Sequence, residues 1–293
     1  MSLPKIISIV GPTASGKTGL GIEIAKLVDG EVISVDSRQV YRGMDIGTAK
    51  DGRDHWGIDL VEPNEAYSVA DFKVYAEEKI EEIIKRKRVP ILVGGTGLWM
   101  QAVMDNYDLA QTTISPVLRT ELEKRSVEDL FAEFKRLDPE GAEVIDKDNP
   151  RRLVRALEVT LLSGKPFSQQ QTKGEAKYDV LQIGLQVDRA VLNERINHRV
   201  DEMIENGLVE EVQRLKTKYG CDIEAMSGIG YRQIGTYLNG ETTLVEAIEE
   251  IKKVTRHYAK RQMTWFKRDQ RIHWVRTNAE AIALIESTNL LSF

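Results

Sequence analysis

Residues Gly11 to Thr18 read Gly-Pro-Thr-Ala-Ser-Gly-Lys-Thr, directly after the apolar run Ile6–Val10 and before the helix-like Gly19–Val28. A G-x-x-x-x-G-K-[ST] run between a strand and a helix is a phosphate-binding loop. Its glycines let successive backbone N–H groups turn inward, and the helix that follows points its positive end at the same spot. Gly11, Pro12, Thr13, Ala14, Ser15, Gly16, Lys17 and Thr18 are therefore the expected diphosphate site. Within it Lys17 is placed to reach terminal phosphates and Thr18 to offer its hydroxyl to Mg²⁺. The loop does not name the reaction, because the same cradle serves hydrolases, kinases and other transferases.

The pattern around the loop fixes the fold class as α/β. Ile6–Val10, Glu31–Val35, Pro90–Val93 and Val180–Val187 read as buried strands, and Gly19–Val28 and Val69–Lys87 as helices between them. Strands alternating with helices imply a parallel sheet, here a P-loop NTPase-like core. From Gln111 the pattern changes to helix after helix, with starts at Ser115-Pro116, Ser126, Asp138-Pro139 and Pro150, and a break at Ser163-Gly-Lys-Pro166. Gln169–Gly174 reads as a mobile stretch. The expected organisation is a core of residues 1–110 and 180–293 with a mainly helical insertion over 111–179.

Composition narrows the class by exclusion. An apolar fraction of 41% with 30% charged residues describes an ordinary globular chain. A single cysteine, Cys221, excludes an internal disulfide and a thiol-rich metal site. No window suits a membrane span, and the phosphate loop starts too near Met1 for a leader, so the cytoplasm is the expected compartment. A monomer is the simpler expectation, since no heptad pattern demands a partner.

Strand ends converge at Gly11, Asp36 and Gly95, and in open α/β sheets ligands sit outside the carboxyl ends of the strands. Asp36 opens a polar, glycine-punctuated loop to Lys50, and a carboxylate there suits a metal ligand, a base or a helix cap. Thr96, in Gly94-Gly-Thr-Gly97, brings a hydroxyl to the same cleft. Arg195 and Arg199 are four apart on the amphipathic segment Arg189–Leu215, and suit either phosphate clamps or surface pairing with Glu194, Asp201 or Glu202. Although the net charge is −5, Lys252–Arg271 carries eight bases against one acid, Asp269, with aromatics interleaved. That stretch fits a nucleic-acid groove or a solvated cationic helix equally.

Taken together these segments resemble the tRNA dimethylallyltransferase (tRNA isopentenyltransferase) family along nearly the whole chain. The resemblance is carried by Gly11–Thr18, Asp36–Lys50, Gly94–Gly97, Arg151–Val159, Arg195 with Arg199, Gly228–Gln233 and Thr255–Phe266. It implies dimethylallyl diphosphate and the exocyclic amine of an adenosine beside the anticodon of a tRNA as substrates, with Mg²⁺ as cofactor. It implies that Lys17 and Arg199 stabilise departing pyrophosphate, with Arg195 on the diphosphate, and that Thr18 ligates Mg²⁺. Asp36 would take or orient the amine proton, and Thr96 would contact the base or the donor. Ser37, Arg38 and Gln39, with Asp36, would hold the adenosine, while Arg119, Arg151, Arg152, Arg155, Lys260, Arg261, Gln262 and Trp265 would contact the anticodon stem-loop. Trp99 and Asp51 depart from the Tyr and Pro more usual in the family.

Three other readings use the same residues. A P-loop small-molecule or nucleotide kinase explains Gly11–Thr18, Asp36 and the arginine pair but leaves Lys252–Arg271 without a task. An isopentenyltransferase acting on free adenine nucleotides has no need of the helical insertion. A nucleotide-gated RNA-binding module has no need of Asp36 and Thr96.

Overall fold

The computed structural model describes residues 3–50, 55–109, 115–169 and 171–288. The chain divides into two compact units, residues 1–104 with 177–293 and residues 105–176.

The first unit starts with β1 (Lys5–Val10), α1 (Lys17–Leu27), β2 (Gly30–Val35), α2 (Val69–Lys85), β3 (Val89–Gly94) and α3 (Gly97–Met104). These match the expected strands and helices within a few residues at each end. Helix α2 begins where a reciprocal capping box places it, Ser68 accepting from the Asp71 N–H and Asp71 accepting from the Ser68 N–H.

In the second unit, β4 (Tyr107–Leu109) is followed by α4 (Pro116–Glu123), α5 (Val127–Leu137), α6 (Pro139–Val144), α7 (Pro150–Ser163) and β5 (Gln171–Lys173). Each helix starts at a side-chain cap: Ser115, Ser126 and Asp138, as expected, and Asn149, just before the expected start at Pro150. Gly164 ends α7 at φ 68, a left-handed conformation that favours glycine. Leu130, Phe134, Leu153 and Leu157 form the unit's own core. The stretch expected to be mobile instead contains β5, which pairs antiparallel with β4, Tyr107 opposite Lys173. Residues 110–114 and 170 lie outside the described residues.

The chain then returns to the first unit with β6 (Asp179–Leu185), α8 (Arg189–Glu205), α9 (Leu208–Tyr219), α10 (Tyr231–Leu238), α11 (Leu244–Phe266), β7 (His273–Val275) and α12 (Asn278–Glu286). The segment read as one helix from Arg189 is two, because Gly207 adopts φ 96 and turns the chain between α8 and α9.

The sheet order is β2-β3-β1-β6-β7, all parallel, with β1 at the centre. Side chains alternate across it. Ile6, Val10, Ile33, Val35 and Leu92 pack against Phe72, Ile80 and Ile83 of α2 on one face. Ile7, Ile9, Val32, Ile91 and Ile183 pack against Leu20 and Ile24 of α1 and Ile285 of α12 on the other. With both faces covered, the strands read as continuous apolar runs rather than alternating ones. That arrangement leaves only the strand ends free for polar work, and Gly11, Asp36 and Gly95 follow β1, β2 and β3 there.

Candidate active site

The phosphate loop is held in an unusual backbone path. Gly16 sits at φ 92 and Ala14 at φ 61. Ser15 N–H donates to Pro12 O at 3.2 Å, closing a tight turn. Gly16 is the N-cap of α1 and offers no side chain, so the first N–H groups of the helix have no side-chain cap and suit an anion. Lys17 and Thr18, in that first turn, line an open cavity of about 950 Å³ together with Ala14, Arg195 and Arg199. The structure therefore brings the two arginines of α8 to the phosphate loop, the first of the two uses their spacing allowed.

Electrostatics in this cavity favour an anion. Desolvation, then repulsion from Arg199, holds the Lys17 ammonium down at about 8, with the Asp36 carboxylate opposing both. Arg199 is likewise pulled down by burial, against the attraction of Asp36 and Glu202. Two like charges that repel in a partly desolvated cavity, with a carboxylate insufficient to neutralise them, are relieved by a bound polyanion. Of the acids that might have paired with the arginines, Asp201 is engaged by Lys252 and Glu202 by His198.

Asp36 uses one oxygen structurally: Oδ1 accepts from the N–H groups of Arg38 at 2.8 Å and Gln39 at 3.4 Å. That is the turn-forming use of an aspartate, and it fixes the carboxylate's orientation while the second oxygen is left for other work. Thr96 Oγ1 accepts from Ser37 N–H at 3.3 Å, tying the ends of β2 and β3 together. Next to Thr96 stands Tyr258 of α11, whose hydroxyl is pushed up to about 12, first by burial and then by Asp36, against a hydrogen bond with Thr96.

The remaining expected residues divide. Arg38 is engaged away from Asp36, donating to Glu224 O at 2.7 Å, Glu224 Oε1 at 3.0 Å and Ser227 Oγ at 3.1 Å. Gln39 is bonded within its own loop, to Ser34 Oγ at 2.6 Å and Thr48 O at 3.0 Å. In the second unit, Arg119 and Arg155 both bind the fully buried Glu158 carboxylate, which holds their half-exposed guanidinium groups together, and Arg151 and Arg152 are exposed. The basic stretch Lys252–Arg271 splits into paired and unpaired cations. Lys252, Lys253, Arg256 and Arg271 have acidic or polar partners, whereas Lys260, Arg261, Lys267 and Arg268 are exposed with no ion pair among the described residues.

Gln262 corrects the expectation from the sequence. It is only 6% exposed, and its amide faces inward rather than toward a nucleic acid: Oε1 accepts from Thr13 N–H at 2.8 Å and Nε2 donates to Gly95 O at 3.0 Å. Trp265 is half-buried against Gly97, where a Cβ would collide with its indole ring.

Two site residues escaped the sequence reading. Tyr258 is one, although its four-residue offset from Gln262 places both on one helix face. Glu211 is the other. Buried in α9, it accepts from the N–H groups of Asp45 at 3.1 Å, Ile46 at 2.9 Å and Gly47 at 3.2 Å, and from the Tyr231 hydroxyl at 2.6 Å. It thereby anchors the loop that starts at Asp36. A carboxylate on the apolar stripe Leu208, Val212, Leu215 is the signal that marks it.

Thr18 is the one hydroxyl of the phosphate loop's helical turn that lines the cavity, and no cluster of three or more His, Cys, Asp or Glu side chains occurs among the described residues. That donor set fits Mg²⁺, which commonly takes one or two protein ligands and completes its shell with phosphate oxygens and water. It does not fit a metal held by protein alone.

The IPP transferase family model matches residues 39–269. The tRNA dimethylallyltransferase of Carboxydothermus hydrogenoformans is 46% identical over 294 residues, covering 96% of this chain and 94% of the relative. That of Bacillus subtilis is 42% identical, covering 92% and 90%. The crystal structure of the full-length tRNA isopentenylpyrophosphate transferase from Bacillus halodurans superposes with a TM-score of 0.72 at 42% identity, covering 97% of this chain and 94% of that one. A eukaryotic dimethylallyltransferase acting on tRNA gives a TM-score of 0.80 at 28% identity, covering 99% and 80%. The phosphate loop, the arginine pair and the strand-end carboxylate thus sit in a chain that belongs to the IPP transferase family.

Proposed function

We propose that the chain is a tRNA dimethylallyltransferase: it moves the dimethylallyl group of dimethylallyl diphosphate to the exocyclic amine of the adenosine on the 3′ side of a tRNA anticodon, releasing pyrophosphate. The observation that carries this reading is the placement of Lys17 and Arg199 on one cavity, with the Asp36 carboxylate near enough to act on the charge of both, in a chain whose curated relatives bear that name. Those names support the tRNA enzyme and lend nothing to a kinase or a free-nucleotide enzyme.

The chemistry asks for two things at once. The allylic C–O bond breaks as a C–N bond forms, pyrophosphate leaves with the bonding pair, and the amine gives up a proton. Lys17 and Arg199, with the N–H groups at the start of α1, stabilise the charge that grows on the departing pyrophosphate. Mg²⁺ held by Thr18 would supply further neutralisation of the diphosphate. Asp36 is the acceptor for the amine proton, its orientation set by Arg38 and Gln39 N–H. Thr96 and Ser37 brace the base-side wall.

The adenosine must leave the stack of the anticodon loop to react, which needs firm contacts to the surrounding RNA. Arg119, Arg151, Arg152 and Arg155 of the second unit supply positive charge for the phosphate backbone. Lys260 and Arg261 of α11, with the indole of Trp265, do so in the first unit. The protein acts as a monomer in the cytoplasm, and no described helix is long and apolar enough to cross a membrane.

The test offers the protein a choice of acceptor. With Mg²⁺ and labelled dimethylallyl diphosphate, label should enter unmodified tRNA and not AMP; label in AMP alone would assign the chain to free nucleotides.

A further inference from the structure

Helix α11 has two faces with different tasks. Lys260 and Arg261, with Lys267 and Arg268 just past its end, are exposed, while Tyr258, Gln262 and Trp265 turn inward onto the ends of the strands. Among the inward side chains Gln262 is distinctive, since it joins two segments that are neighbours in space and remote in sequence. It accepts from Thr13 of the phosphate loop and donates to Gly95 at the end of β3. Gly95 has to be glycine for this to happen, because a Cβ there would collide with Gln262 Nε2.

The consequence lies in the residue after Thr13. Ala14 holds a left-handed φ of 61 without being glycine. Such a conformation persists only where the surroundings over-determine it. Gly16 at φ 92 is comfortable on one side of it. On the other side the tether from outside the loop is the Gln262 bond to Thr13. Releasing that bond lets the strained turn relax and disperses the N–H groups of Gly16, Lys17 and Thr18 at the uncapped start of α1.

We propose that Gln262 is a positioning residue of the diphosphate site and not a contact of the RNA: it clamps the rim of the phosphate loop to β3 and so keeps the loop in its anion-binding shape. This rests on the reading of Gly11–Thr18 as the cradle for the donor's diphosphate. The role separates donor affinity from RNA affinity, which loss of a general structural contact would not do.

The test is calorimetric binding of pyrophosphate with Mg²⁺, and separately of unmodified tRNA, to the full chain and three variants. Gln262→Met keeps the side-chain volume and removes both hydrogen bonds. Its pyrophosphate dissociation constant should rise about tenfold, as expected for losing a buried pair of bonds. Its tRNA dissociation constant should stay within about twofold. Gln262→Asn, too short to reach both partners, repeats the test should the first variant fold poorly. Lys17→Ala reports on the cradle itself. If Lys17→Ala weakens pyrophosphate and both Gln262 variants bind it like the unaltered protein, the clamp is refuted. A loss of tRNA affinity at unchanged pyrophosphate affinity would return Gln262 to the RNA interface. Should Lys17→Ala also leave pyrophosphate binding intact, the cradle is refuted, and the clamp falls with it.

Discussion

Lys17 at the start of α1 and Arg199 on α8 are cations held close enough that, after desolvation, the guanidinium is the largest influence lowering the ammonium, which is held at about 8. Neither has a carboxylate partner within ion-pair distance among the described residues. The arrangement stores repulsion that a polyanion releases, and it should therefore weaken the unliganded fold.

That cost has a pH signature. Between about 8 and the ordinary lysine value of 10.5, the unfolded chain carries a proton at Lys17 that the native chain lacks, so native stability contributed by this site rises with pH across that window. Below about 8 both states are protonated and the full penalty applies. Lys17→Met should be more stable than the unaltered protein at pH 7 by about 1–3 kcal/mol, allowing for the side chain's partial exposure. The gap should close as pH approaches 10.5. Denaturant melts at a series of pH values check this, and a gap that does not change across the window would contradict it.

Asp36→Asn preserves the acceptor that receives Arg38 and Gln39 N–H and removes the charge needed for the amine proton. Turnover should fall by about two to four orders of magnitude, with tRNA affinity little changed. Single-turnover rates at saturating tRNA measure it, and near-normal turnover would remove Asp36 from the proton's path.

Glu211 supports the loop from below. Glu211→Ala leaves three backbone N–H groups and the Tyr231 hydroxyl without their acceptor. One buried and three part-buried donors lose their acceptor at once, and the loss of stability should be about 2–4 kcal/mol. Tyr231→Phe, which removes one bond, should lose about 1 kcal/mol. Urea unfolding compares the two, and equal effects would show that the carboxylate does not organise the loop.

Replacing Lys260 and Arg261 with Ala should raise the Michaelis constant for tRNA and reduce the salt dependence of its binding. If each contacts one phosphate, the log–log slope should drop by about 1.4–1.8. A filter-binding series from low to high salt reads the slope directly, and an unchanged slope would take this face of α11 out of the RNA interface.

How much of this was legible in the sequence follows from how local each feature is. The β1-loop-α1 unit, the carboxylate at the end of β2 and the capped helix starts at Ser115, Ser126 and Asp138 are written within a few residues, and the structure has them there. The break between α8 and α9 was missed because the apolar stripe runs on through it, while a single glycine at positive φ decides the turn. The β4–β5 pair joins short segments some sixty residues apart, and nothing in either one announces the other. Gln262 was misread for the same reason. Its neighbours Lys260 and Arg261 suggest an outward face, but its own partners, Thr13 and Gly95, are 249 and 167 residues away.

Transfer of a prenyl group to a nucleobase leaves its product on the tRNA itself. The most direct measurement is mass analysis of nucleosides from unmodified tRNA after reaction with dimethylallyl diphosphate and Mg²⁺, with pyrophosphate release followed in parallel. One dimethylallyl group is expected on the exocyclic amine of the adenosine following the anticodon for each pyrophosphate released, and none with Asp36→Asn on the same timescale. Unaltered tRNA, with a γ-phosphoryl group moving from ATP to a small acceptor at the same site, would contradict it.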